Sequence, residues 1–438
     1  MVIATVKSRL ALSGLLFGVA SLASATLPQG APAGRIASPS VQDIQQSLSF
    51  VPDRMAYYHV PGLSVACIHN GSLAWTQTFG VAKVGGEPVT PETLFQASSI
   101  SMPVTAVAVL RLVEQGKLNL DVDVNQDLTS WKIPSSKFTE QKVVTLRELL
   151  SHTAGVSFAG YRGYATGQKI PTLVQILSGG SFTNSPPVTI DRTPGTDYQY
   201  APPDFTIIQQ TLIDVTGEPF PELMRSLILQ PLHMVHSTFQ QPIPDNLQQL
   251  IAMPFDQNGN PIEGGPHAYP EMAVAGLWTT PSDLALFALG VQNALAGTPG
   301  AIVSPSMAHE MLQPVLGNYG LGFSIAGNAS NRYFWHPGAN LGYLSVLFAY
   351  AQGDGMALMS NQQSSKALML EVIQAVAKQY GWTEFPRDDS SLGDPWFIGL
   401  ICALAVLAAY SLFRVVRQRR GQENDHSRAT PYGEGLRT

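Results

Sequence analysis

The sequence predicts a mixed α/β fold of the α+β type: one antiparallel sheet built from N- and C-terminal segments, flanked by helices, with a large helical insertion. Three observations predict it. Strand-like runs cluster near both ends of the body. Helical periodicity dominates the stretch of about two hundred residues between them. A last amphipathic stretch, "SKALMLEVIQAVAKQYG", closes the domain as a helix.

In chain order, "VQDIQQSLSFVPDRMAYY" has helical spacing. "GLSVACIHNGSLAWTQTFGVA" holds two strand-like runs around Asn70-Gly71, a strong hairpin signal because both residues accept positive φ. Residues 99–115 read as a helix, and its stretch 102–110 is apolar on nearly every face, so it is expected to be buried all round. "TLRELLSH", "FTIIQQTLIDVTG", "FPELMRSLIL" and "PSDLALFALGVQNAL" are further helices. "YGLGFSIAG", "RYFWHPG", "YLSVLFAYAQ" and "GMALMSNQ" then follow as consecutive strands.

Both ends differ from this body. Lys7 and Arg9 precede the apolar run "LALSGLLFGVASL" and a small-residue site, Ala23 to Ala25, the layout of a secretory signal peptide over residues 1–25. Residues 26–382 are then an exported domain, and 383–395, polar and Pro/Gly-bearing, a linker. The uncharged residues 396–413 span roughly 27 Å as a helix, close to a bilayer core. Arg414, Arg417, Arg419 and Arg420 follow, which places the tail 414–438 in the cytoplasm. The expectation is a single-pass membrane protein with its domain outside, periplasmic or extracellular.

Across all 438 residues, 45% are apolar and 13% charged, which suits a packed core. A net charge of −6 without a long basic run in the body excludes nucleic acid as the expected partner. Two cysteines, Cys67 and Cys402, are too few for a metal cluster, and Cys67 is expected to be a small buried hydrophobe.

Chemistry enters at "FQASSISMPVTAVAVLRLVEQGKLNLD", residues 95–121. Ser99 and Met102 stand at i and i+3, on one face of a helix that Ser99 opens. N-capping alone accounts for a serine there. The surrounding motifs change that weight. This stretch, with "VTLRELLSHTAGV" (144–156), residues 193–239, "GLWTTPSDLALF" (276–287) and "FWHPGANLGY" (334–343), resembles the serine β-lactamase and penicillin-binding family, in particular the class C β-lactamase, D-aminopeptidase and esterase branch. The resemblance covers about residues 40–381.

That resemblance implies roles. Ser99 matches the nucleophile that forms the acyl-enzyme, and Tyr200 the tyrosine that moves protons to and from it. His336, Pro337 and Gly338 match the third motif, and the backbone N–H groups of Ser99 and Ala339 form the implied oxyanion hole. Asp121 and the pair His152-Thr153 are read as structural. No metal or organic cofactor is implied. The implied partner is a small-molecule or peptidoglycan-related substrate or ligand.

Three positions depart from the pattern. Met102 stands where the family carries the lysine of Ser-x-x-Lys; methionine preserves length and packing but accepts no proton. Loss of one member of a catalytic unit costs about four to six orders of magnitude in rate. Pro202 replaces the polar residue two after the tyrosine, and Pro337 replaces a threonine of the third motif. Lysine AAG and methionine ATG differ by one base, so one reading is that Met102 is a recent lesion or a sequence error; two others take the residue as it stands. One is a membrane-tethered serine hydrolase acting on an ester, amide or D-amino-acid peptide, with chemistry weakened or lost at Met102. The other is a pseudoenzyme of the same fold that binds a cell-envelope ligand or protein. In the hydrolase reading, histidine is itself a proton acceptor, so a Ser99–Tyr200–His336 relay is conceivable.

Overall fold

The computed structural model describes residues 39–328 and 330–386. The leader, the apolar stretch 396–413 and the basic tail lie outside them, as does the linker from residue 387 onward. Among the described residues no helix is long and apolar enough to cross a membrane.

The predicted N-terminal helix is two helices, α1 (Val41–Ser47) and α2 (Val51–Tyr58). Ser40 caps α1 in a capping box with Asp43. Pro52 lacks the N–H a continuous helix needs, so it sits in the first turn of a new one. Strands β1 (Gly62–His69) and β2 (Ser72–Gly80) form the expected hairpin, with Asn70 and Gly71 both at positive φ.

The chain then leaves the sheet. β3 (Phe95–Gln96) leads into α3 (Ser101–Glu114), followed by α4 (Leu146–Leu150), α5 (Leu173–Ser178), α6 (Pro203–Thr216), α7 (Phe220–Met224) and α8 (Met272–Ala275). β4 (Trp278–Thr279) pairs with β3 as a small separate sheet, and α9 (Pro281–Leu295) and α10 (Pro305–Met311) complete the insertion. The chain returns through β5 (Ser324–Ala326), β6 (Tyr333–Asn340), β7 (Tyr343–Tyr350), β8 (Gly355–Ser360) and α11 (Lys366–Tyr380).

The six-stranded sheet is antiparallel in the order β2-β1-β8-β7-β6-β5, so β8 beside β1 joins the two ends of the domain as expected. Alternation divides its side chains between two cores. Val65, Cys67, Val346, Phe348, Met356 and Leu358 pack on one face with Leu368, Val372 and Ile373 of α11. Ala66, Ile68, Leu347, Ala357 and Met359 pack on the other with α3 and α9. Full burial of a side chain such as Phe348 stabilises by about 1.5–3 kcal/mol relative to exposure. Cys67 is buried, and burial pushes its thiol up, as a small hydrophobe requires.

Two expectations need correction. The insertion is less helical than its periodicity suggests: 151–172 and 230–271 carry only an isolated short turn between them, and proline and glycine punctuate both. Bridges such as Val156↔Ile190 and Tyr164↔Ala268 satisfy their backbone instead. The strand expected in "YGLGFSIAG" shrinks to Ser324–Ala326, because Gly322 takes a φ of 87°. Helices α5 and α10 escaped the periodicity reading, although Thr172 with Gln175 and Ser304 before Pro305 were legible as N-terminal caps.

Candidate active site

Between β3 and α3 the chain makes one tight 3₁₀ turn, Ser98–Ile100. Ser98 holds a φ of 55°, a conformation that costs a side chain energy and turns the strand abruptly into the helix. Ser101 fastens the turn: its Oγ donates to the Ser98 carbonyl (2.7 Å) and accepts the Leu277 N–H (3.1 Å). The N-cap residues of this turn and of α3 are Ala97 and Ile100, so Ser99 is the cap residue of neither. It retains 7% exposure in a turn whose flanking residues, Ser98 and Ile100, have none.

Strand β6 packs directly on this turn. A Cβ at Gly338 would lie 2.2 Å from the Ala97 carbonyl oxygen and 2.4 Å from Ser345 Oγ. Glycine at 338 therefore permits the approach that brings the third motif beside Ser99. Ser345 Oγ donates to the same Ala97 carbonyl at 2.7 Å, tying β7 to the turn as well. Ala339 follows Gly338 in register with Leu344. Pro337 lies past Trp335, the last β6 residue that β5 pairs, where one edge of β6 is free.

Tyr200 arrives from the segment leading into α6. Its hydroxyl is hydrogen-bonded to Ser99, and since the tyrosine proton is directed at Met102 Sδ, Ser99 donates and Tyr200 accepts. The Tyr200 hydroxyl in turn donates to Met102 Sδ at 3.9 Å. Ser99, Tyr200 and Met102 thus form a donor chain that ends on a thioether, a weak acceptor that takes no proton. Burial dominates Tyr200, pushing its phenol far above its ordinary value.

His336 sits behind this chain, fully buried, with its ring centroid 6.2 Å from that of Tyr200. Its Nδ1 lies 2.6 Å from the Pro337 carbonyl oxygen, which can only accept, so Nδ1 carries the proton and Nε2 is the open acceptor. Nε2 is buried with no hydrogen-bond partner among the described residues. Burial lowers the His336 pKa to about 4, outweighing the backbone bond that raises it. The ring is neutral at pH 7 and a weak base.

The structure adds residues that sequence reasoning assigned elsewhere or missed. His152, read as structural, lies against Tyr200 at 4.7 Å between ring centroids, with Tyr319 at 5.0 Å on its own flank. Its Nδ1 is 2.7 Å from Asp204 Oδ2, and both side chains are essentially without exposure. Burial holds His152 well below its ordinary pKa and Asp204 well above. Asp204 was not singled out, because 52 residues separate it from His152 and no local spacing marks the pair. Asp121, by contrast, makes an exposed bidentate pair with Arg147 at 2.6 and 2.9 Å, a surface fastening as expected.

Pro202 and Pro203 occupy the start of α6, where fixed φ suits the first turn. They build the helix that carries Asp204 but offer no side-chain amide. Among the described residues no group of three or more His, Cys, Asp or Glu is arranged to hold a metal ion.

Comparison with known proteins bears on the family and the fold. The Beta-lactamase family model matches residues 49–380. "Protein flp" of Staphylococcus aureus strain N315 is 23% identical over 229 residues, covering 51% of this chain and 42% of that protein. The chain thus spans less than half the length of that relative. A Pseudomonas fluorescens protein named beta-lactamase is 28% identical over 246 residues, 55% of this chain and 63% of that one. An octameric penicillin-binding protein homologue from Pyrococcus abyssi superposes with a TM-score of 0.65 at 24% identity, covering 77% of this chain and 78% of that one. With the serine turn, the tyrosine and the sheet-edge motif assembled in one place, and the family match spanning most of the chain, this protein belongs to the beta-lactamase family.

Proposed function

We propose that the protein is a membrane-tethered serine hydrolase of this family whose acyl-serine chemistry is strongly attenuated by Met102. The observation that carries the reading is the donor chain from Ser99 through Tyr200 to Met102 Sδ. Nucleophile and tyrosine are aligned for proton transfer, and the third position is length-matched but inert. In this reading Ser99 attacks the carbonyl of an ester, amide or D-amino-acid peptide. The Ser99 proton passes to the Tyr200 oxygen as the tyrosine proton leaves for His336, whose Nε2 makes no hydrogen bond to Tyr200 among the described contacts and is reached only by a movement of one of the two rings. The Ser99 and Ala339 N–H groups, beside Gly338, hold the oxyanion. Since His336 titrates near 4, this route is slow, and residual turnover is well below that of a lysine-bearing relative. The uncharged stretch 396–413 and the arginines after it support the tether, with the domain exported and the tail cytoplasmic.

The pseudoenzyme reading has its own observation. Two residues beside Tyr200 among those described carry no charge at neutral pH: Met102 is apolar and His336 is neutral, while burial holds the phenol protonated. A domain in that state binds an envelope ligand without turning it over.

Intact-mass acylation of residues 26–389 by an activated serine-hydrolase probe decides between them. A single adduct that is absent in Ser99→Ala establishes the nucleophile as live. An adduct found only in Met102→Lys establishes a binding scaffold silenced at one position.

A further inference from the structure

A cavity of about 200 Å³ opens beside the small sheet that leads to Ser99. Its walls come from three stretches of the insertion: Tyr164 to Gln168 with Ile170, Gln241 to Ile243 with Gln248 and Ile251, and Pro266 to Ala268 with Trp278. Neither Asp, Glu, Lys nor Arg lines it. Ile170, Ile243, Ile251 and Trp278 supply apolar surface, and three glutamines, 168, 241 and 248, supply neutral polar groups. The indole N–H of Trp278 is buried and has no hydrogen-bond partner among the described residues. His267, also in the wall, is held below its ordinary pKa by burial.

One side chain ties this cavity to the reaction centre. Gln96, three residues before Ser99, pairs across the small sheet with Trp278. Its Nε2 donates to the His267 carbonyl at 2.8 Å, and its Oε1 accepts from Asn340 Nδ2 at 2.7 Å, next to Ala339. Cavity wall, nucleophile turn and third-motif strand therefore share a single buried amide.

We infer that this cavity receives an uncharged group of the molecule bound at Ser99: one aromatic ring or branched alkyl chain. The size fits, since an apolar cavity of about 150 Å³ holds benzene. The charge class follows from the lining, because an ionised group there has no counter-charge and loses its hydration. The inference rests on the serine-hydrolase reading for its link to Ser99 and on the cavity alone for the class of ligand.

The test uses a matched pair, phenylacetamide and phenylacetate, alike in shape and different in charge, followed by ligand-observed NMR titration of the exported domain. The amide is expected to bind at least tenfold tighter than the carboxylate. Ala165→Trp, which fills the cavity from its half-buried rim, is expected to abolish amide binding. Equal affinities, or undiminished binding to an Ala165→Trp protein of unchanged Tm, overturn the inference. If Ala165→Trp fails to fold, Ile170→Phe, also half-buried, replaces it with the same two outcomes. Saturating amide is also expected to slow labelling of Ser99 by an activated aryl ester, in the wild-type or Met102→Lys protein. Binding without any slowing detaches the cavity from the active site and refutes the inference. Absence of labelling in every variant defeats the hydrolase reading, and the two binding arms then still decide the ligand class.

Discussion

Replacing Met102 by lysine puts a cation at the end of the Ser99–Tyr200 chain. The methionine sulfur lies 3.9 Å from the Tyr200 hydroxyl, and a lysine nitrogen extends two atoms beyond that position. An ammonium about 4 Å from a phenolate stabilises it by about 4 kcal/mol at an effective dielectric constant of about 20. That energy is about a thousandfold in phenolate population. It also matches the lower end of the loss seen when one member of a catalytic unit is removed, about four orders of magnitude, once proton acceptance by the amine itself is added. The opposing term is desolvation, because position 102 is fully buried. Open acceptors lie in the same buried cluster: His336 Nε2, His152 Nε2 and Asp204 Oδ1 lack hydrogen-bond partners among the described residues. A Tm lowered by several degrees with the fold retained is therefore expected. The assay is the second-order rate of Ser99 acylation by an activated ester, followed by intact mass, with Met102→Lys/Ser99→Ala as background. A gain of about a thousandfold or more is expected. A Met102→Lys protein with native circular dichroism and an unchanged acylation rate would falsify the assignment of residue 102 as the missing proton acceptor.

Three other outcomes follow from the same geometry. His336→Ala is expected to remove the residual acylation of the wild-type protein while leaving that of Met102→Lys within about tenfold, since a lysine base bypasses the histidine; retention of all activity in the wild-type background ends the relay idea. Gly338→Ala forces a methyl against the Ala97 carbonyl, so a loss of about 1–3 kcal/mol in stability is expected, together with reduced labelling at an intact Ser99; a denaturant titration and the same mass assay read both. The buried His336 binds its proton near pH 4 when folded and near 6.5 when unfolded, so between those values the unfolded chain takes up more protons. Stability therefore falls as pH drops from about 6.5 to 4, by about 3 kcal/mol from this group. Glu271, which burial raises to about 8, acts in the opposite sense: folded it keeps its proton, so stability falls as pH rises from about 4.5 to 8. Tm against pH for His336→Asn and Glu271→Gln is expected to flatten the acid and alkaline limbs respectively.

Much of this was legible before the fold. Alternation in "YLSVLFAYAQ" and the Asn70-Gly71 turn specify sheet strands because side-chain period and positive φ are local properties. The resemblance of its motifs to a known family named Ser99, Tyr200 and His336 as candidates, and position 102 as a departure from that pattern. Tertiary structure decided the rest, because the forces involved act between residues distant in sequence. No spacing reveals that Asp204 meets His152 in the dark behind Tyr200, or that Gly338 exists to let a strand touch the Ala97 carbonyl. Nor does composition tell a helical insertion from a looped one: the segments 151–172 and 230–271 are held by single bridges and side-chain bonds that exist only once their partners are folded beside them. Charge state belongs to the same class. His336 is a histidine in any sequence, and only burial, which withholds water from its protonated form, makes it a neutral and weak base.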